Sequence, residues 1–167
     1  MRERTTTAGT DKKTASAIPL FSVGLFEGMP PLEKWCPMGY LSYVSRKFAQ
    51  KALSDAETLL ELIDRMSEGI EKPRITYRCK PLATGMMFGH GRWHFDGRGE
   101  DGEIHRLLTI GGTPTEGRDG AVLSAGTVWE YSGKYEHRAR PVEASCVRLL
   151  IRVSKTDMLF RDHWSLE

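Results

Sequence analysis

In the run Gly91-Arg92-Trp93-His94-Phe95-Asp96-Gly97, a histidine and an aspartate stand two positions apart. Side chains alternate along an extended strand, so this spacing points His94 and Asp96 to one face, where they can share a metal ion. His137 follows the segment Thr127–Tyr131 and a Ser132-Gly133 turn, far enough along for the chain to return through intervening strands and supply a third ligand. Two neutral imidazoles and one carboxylate on one side of an ion leave three positions open, the arrangement that suits non-haem Fe(II) activating dioxygen. A bidentate 2-oxo acid and dioxygen would fill those positions.

A 2-oxo acid with a distal carboxylate needs a fixed cation, and the planar fork of arginine supplies two parallel charge-assisted hydrogen bonds. Arg148 is the candidate, at the start of Val147-Arg148-Leu149-Leu150-Ile151-Arg152-Val153. Alternation places Arg148, Leu150 and Arg152 on one face and Val147, Leu149, Ile151 and Val153 on the other. If only the apolar face is covered, Arg148 points to solvent. Arg152, on the same face, is then the alternative cation.

These residues need a scaffold. An apolar stretch over Ile18 to Phe26 reads as a strand, ended by turns at Gly28 to Pro31 and at Cys36-Pro37. Tyr40 to Leu53 reads as a first helix. A second is expected from Ser54, where Ser54 and Glu57 form a capping box ahead of Leu59, Leu60, Leu62, Ile63 and Met66 at helical spacing, with Gly69 placed to end it. After Pro73, short β-branched and aromatic segments alternate with glycine-containing turns. The expected strands are Arg74–Cys79, Met86–His90, Arg92–Phe95, Ile104–Ile110, Val122–Leu123, Thr127–Tyr131 and Val147–Val153. Helices first and strands after predict a mostly β domain with a helical buttress over 40–69.

The chain has 167 residues, enough for one domain with a real core, expected over 17–167. Residues 1–16 carry almost no large apolar side chains and are expected to form a disordered tail. A net charge of +2, from 24 basic and 22 acidic residues, gives no general case for a nucleic-acid or membrane partner. Cys36, Cys79 and Cys146 are odd in number and form no CxxC pattern, which speaks against a disulfide framework and a zinc knuckle. No apolar run approaches the roughly 18 residues of a membrane span, and a soluble, cytoplasmic protein is expected.

The order His94-Phe95-Asp96, Gly126-Thr127-Val128-Trp129-Glu130-Tyr131, His137-Arg138-Ala139-Arg140-Pro141-Val142 and Arg148 resembles the HxD…H…R signature of the Fe(II)/2-oxoglutarate-dependent oxygenases, over residues 75–153. The resemblance implies a double-stranded β-helix, a jelly-roll or cupin-like barrel. It further implies that His94, Asp96 and His137 bind iron, that Arg148 grips the far carboxylate of 2-oxoglutarate, and that an unidentified primary substrate is hydroxylated with succinate and CO2 as co-products. Gly111-Gly112-Thr113-Pro114-Thr115-Glu116 only loosely echoes the glycine-rich turn common between the metal motifs.

Two other readings stay open. His90 with His94 and Asp96 resembles the crowded metal motif of cupins, which implies a metalloenzyme without a 2-oxo acid. A non-catalytic β-barrel binding module would keep the polar residues and bind no iron. His105 reads as a satisfied inward polar group, and His163 has no context. Trp93, Trp129 and Tyr131 read as core or pocket-wall aromatics. Arg138 and Arg140 flank the distal ligand, where an anionic substrate would meet them.

Overall fold

The computed structural model describes residues 15–24 and 30–162. Nine strands and two helices follow in the order β1 (Ile18–Ser22), β2 (Gly39–Ser45), α1 (Arg46–Ala52), α2 (Glu57–Ser67), β3 (Arg74–Leu82), β4 (Ile104–Ile110), β5 (Thr115–Gly117), β6 (Val122–Leu123), β7 (Thr127–Ser132), β8 (His137–Arg138) and β9 (Cys146–Lys155). Six strands form one antiparallel sheet in the order β1-β7-β4-β9-β3-β2, and three short ones form a second in the order β6-β5-β8. The result is mostly β with two helices, as anticipated, and its two antiparallel sheets do not close into a barrel. The anticipated tail lies almost wholly outside the described residues, as do Phe26 and His163.

Alternation along β9 decides the layering. Leu149, Ile151 and Val153 join Ile75, Tyr77 and Cys79 of β3 and Leu108 and Ile110 of β4 in a buried cluster under Leu59, Ile63 and Met66 of α2. The helical stripe covers the outer face of the large sheet because its apolar residues recur every three or four positions. The opposite face carries Thr76 and Arg78 from β3, His105 and Leu107 from β4, and Arg148, Leu150 and Arg152 from β9. It too is covered: Leu107 and Tyr131 pack with Leu123 of the small sheet. Both faces of the central strands are therefore inside, and Arg148 is only 1% exposed rather than solvated.

The region read as one helix from Tyr40 to Leu53 divides at Ser45. Tyr40, Leu41 and Val44 pair with β3, and the pairing with the neighbouring strand overrides their helical spacing. Ser45 then caps α1, its hydroxyl accepting from the backbone N–H of Phe48 at 3.1 Å. The capping box anticipated at Ser54 does not form: α2 starts at Glu57 behind Ala56, with no side-chain cap. Its end agrees with expectation, Gly69 taking φ +76° just past the last turn.

Of the anticipated strands, Met86–His90 is an irregular loop, and in Arg92–Phe95 only His94 makes a bridge, to His137. Among the described residues no helix is long and apolar enough to cross a membrane.

Candidate metal centre

A pair of backbone hydrogen bonds builds the site. The N–H of His94 donates to the carbonyl of His137, and the N–H of His137 to that of His94, both at 3.1 Å. Residues paired this way across antiparallel segments project their side chains to the same side. Sequence alternation correctly put His94 beside Asp96, but it is this single bridge that holds the segment. Asp96 follows where the chain turns away: Gly97 has φ +62°, and its N–H donates to the Tyr43 hydroxyl at 2.9 Å. A Cβ at position 97 would collide with the carboxylate of Glu103, so glycine is required there. Buried Glu103 organises the rest of the turn by accepting from the N–H groups of Arg98 and Glu100.

His94, Asp96 and His137 bring one ligand atom each to within 4.8 Å of one another. His137 Nε2 lies 3.1 Å from Asp96 Oδ2. On their far sides the Nδ1 atoms face carbonyls, that of Arg92 at 2.8 Å for His94 and that of Tyr135 at 3.2 Å for His137. A carbonyl only accepts, so each Nδ1 turns its proton outward to it, and each Nε2 is left as the atom that a metal ion would take. Burial lowers the pKa of His94, which favours the neutral form.

Asp96 is 5% exposed and held from behind. Tyr131 donates to its Oδ2 at 2.6 Å, and Arg152 Nη1 donates to its Oδ1. Burial opposes the carboxylate charge, but Arg152 and His137 outweigh it and keep the Asp96 pKa well below the usual range. Arg152 also donates from Nη2 to the Tyr43 hydroxyl at 3.0 Å. Tyr43 sits at φ +50°, a conformation that aromatic residues rarely adopt, where the β2–β3 register shifts. Two imidazoles with Nε2 turned inward, an anionic carboxylate and donors behind it make a set that fits a divalent ion.

A cavity of about 350 Å³ opens onto the three residues. Arg78, Arg152 and Arg161 line it, with Leu107 and Leu150 on the floor and Tyr40, Phe88 and Phe95 among the walls. Arg148 does not. Its guanidinium lies 5.8 Å from the Phe88 ring, donates to the Thr113 carbonyl, and leaves Nε without a hydrogen-bond partner among the described residues. His90 lines the cavity with its ring 5.1 Å from that of His94, yet it is not one of the three clustered ligands. Arg138 and Arg140 are not among the residues that line the cavity, and both bond Glu116 Oε2 at 3.0 Å.

Sequence reasoning left Tyr43, Arg78, Glu103 and Arg161 unassigned. Tyr43 and Arg78 reach the site through strand pairing and Arg161 through the segment that follows β9, while Glu103 closes a local turn onto Arg98 and Glu100.

His105 is inward and fully buried but only half satisfied: Nδ1 lies 2.8 Å from the Ser154 hydroxyl, and Nε2 has no hydrogen-bond partner among the described residues. Burial, partly offset by Asp96, pushes its pKa down from 6.5 to about 4. The unfolded chain therefore takes up this proton first as pH falls, and stability present above about pH 6.5 is lost toward pH 4. Lowering the pH from 7 to 5 should cost about 2 kcal/mol through His105 alone. Urea unfolding at the two pH values checks this. His105→Asn, which keeps a group near Nδ1, should shrink the difference between them by about that amount.

Comparison of the chain with protein-family models, curated proteins and solved structures gives no match, so its own geometry carries the functional reading.

Proposed function

We propose that this protein is an Fe(II)- and 2-oxoglutarate-dependent oxygenase, its two sheets forming a small double-stranded β-helix. The observation that carries the reading is the triad itself: two imidazoles with Nδ1 bound to carbonyls and one buried carboxylate, converging on an arginine-lined cavity. The chemistry iron would supply there is oxidation of a substrate C–H bond by dioxygen, coupled to conversion of 2-oxoglutarate into succinate and CO2.

The protein's own contribution is positional. His94, Asp96 and His137 would hold the ion, and Tyr131 and Arg152 fix the Asp96 carboxylate. The distal carboxylate of the cosubstrate needs a cation that reaches the cavity. Arg78 is the residue we assign to it. It pairs with Leu150 across β3 and β9, two residues along each strand, and so on the same face, from the pair of Thr76 and Arg152 beside the triad. Its guanidinium lies 5.5 Å from the Tyr40 ring and 4.7 Å from the Phe88 ring, which present its fork in a set orientation.

Anaerobic titration with Fe(II) and then 2-oxoglutarate tests the reading through the weak visible charge-transfer band of the chelate. Arg78→Gln should weaken 2-oxoglutarate binding roughly 30- to 150-fold, the equivalent of a charge-assisted bidentate contact of about 2–3 kcal/mol. Arg148→Gln should change it far less. Iron without 2-oxoglutarate binding would favour a cupin-like metalloenzyme, for which the nearby His90 is the observation. Absence of metal binding would leave a binding module.

A further inference from the structure

The segment after β9, residues 156–162, runs back over the site. It is tied down at several points: Arg74 Nε donates to the Met158 carbonyl at 2.9 Å, the Arg161 N–H to the Tyr43 carbonyl at 3.0 Å, and the Ser45 N–H to Asp162 Oδ1 at 2.8 Å. The Arg74 guanidinium also stacks 4.2 Å from the Phe160 ring. The two acids of the strap turn away from the cavity, Asp157 to Arg98 at 3.0 Å and Asp162 to Ser45. What the strap gives the cavity lining is Met158 and Arg161.

Charge then constrains the ligand. Among the described lining residues Asp96 is the one carboxylate and is held by Arg152, so Arg161 adds a formal positive charge that no described lining carboxylate balances. A divalent ion on the triad would add two charges, and 2-oxoglutarate as a dianion would remove two. The charge of Arg161 survives the cosubstrate. Arg152 is engaged by Asp96 and Tyr43, and Arg78 is assigned to the cosubstrate, which leaves Arg161 as the cation for whatever else enters. The cavity also offers apolar surface: Met158 lines it, as does Phe95, which is 44% exposed. Fields in a half-enclosed site are screened less than at an open surface, so an anion is favoured there over a neutral or cationic ligand.

We propose that the primary substrate is a small anionic molecule with an apolar body, and that Arg161, carried over the site by the strap, is the residue that selects its carboxylate or phosphate group. This rests on the oxygenase reading for the position of the cosubstrate. A cavity of this volume lies at the small end of ligand sites, which suits a small molecule.

Calorimetry on protein loaded with redox-inert Mn(II) and 2-oxoglutarate tests the assignment, using benzoate, phenyl phosphate and the neutral benzamide as probes. The same probes are titrated into metal-free protein. At least one anion should bind and benzamide should not, and the stronger of the two anions identifies the preferred group. Arg161→Gln should weaken anion binding by about 10-fold or more, with Arg161→Lys recovering part because it keeps the charge without the fork. Equal binding of benzamide, unchanged anion binding in Arg161→Gln, or loss of 2-oxoglutarate rather than anion affinity in that variant would each overturn it. Failure of the parent to bind Mn(II) or 2-oxoglutarate would overturn the oxygenase reading instead, and the metal-free titrations would still decide whether Arg161 selects an anion.

Discussion

His94→Ala, Asp96→Ala and His137→Ala should each lose tight Fe(II) binding, by more than about 100-fold, because each removes one of only three protein bonds to the ion. Tyr131→Phe, which removes the hydroxyl behind Asp96, should cost less, roughly 10- to 100-fold. His90→Ala should cost least, since His90 lies outside the ligand cluster. Equilibrium dialysis with Fe(II) under anaerobic conditions measures the series, with circular dichroism as a check on folding. The graded order is the informative part. A loss at His90 equal to that at His94 would move the site toward the cupin arrangement, and retention of metal by all three ligand variants would dismiss the triad. His94 is only half-buried and its alanine variant should fold normally, whereas Asp96→Ala also strands Arg152 and will report on the fold as well as the metal.

Why these residues were legible in the sequence, and others not, follows from the range of the interactions. Alternation along Val147–Val153 is local and correctly sorted the two faces of β9, and the helical stripe of α2 was equally local. Tyr40 to Ser45 was misread because nothing within that stretch records that β3 pairs with it; the information sits in residues 74–79. The small sheet was nearly invisible, since β5 and β8 have three and two residues and exist only through long-range partners. The same limit governed the arginines. Arg148 and Arg152 share a face and differ by two pleats, about 13 Å along the strand, so alternation could not choose between them. The choice is made by where the His94–Asp96 segment lies over β9, and it lies over Arg152. Arg148 instead ends among Thr113, Phe88 and the Gly111-Gly112 turn, where Gly111 at φ +83° passes close to the Val147 carbonyl.

That difference makes the two arginines energetically opposite. Arg152 should be among the most costly residues to remove: in chelator-treated protein, Arg152→Met should lose about 3–5 kcal/mol of stability, read by urea unfolding. Asp96 is buried and would be left charged without its guanidinium, or forced to take up a proton against its lowered pKa. Tyr43 would also lose a donor while held at an unfavourable backbone angle. Chelation matters, because a metal on Asp96 would replace part of the lost partner. The double variant Asp96→Asn with Arg152→Met should be less destabilised than the two single losses combined, since the unpaired charge is gone from both sides. Among the described residues Arg148 has no carboxylate partner, and its burial already lowers its pKa. Arg148→Met therefore removes a desolvated charge along with one hydrogen bond, and should cost less than about 2 kcal/mol. If Arg152→Met stays within about 1 kcal/mol of the parent while Arg148→Met unfolds it, the buried ion pair at the triad is not what holds Asp96, and the arrangement of β9 against the metal site would have to be redrawn.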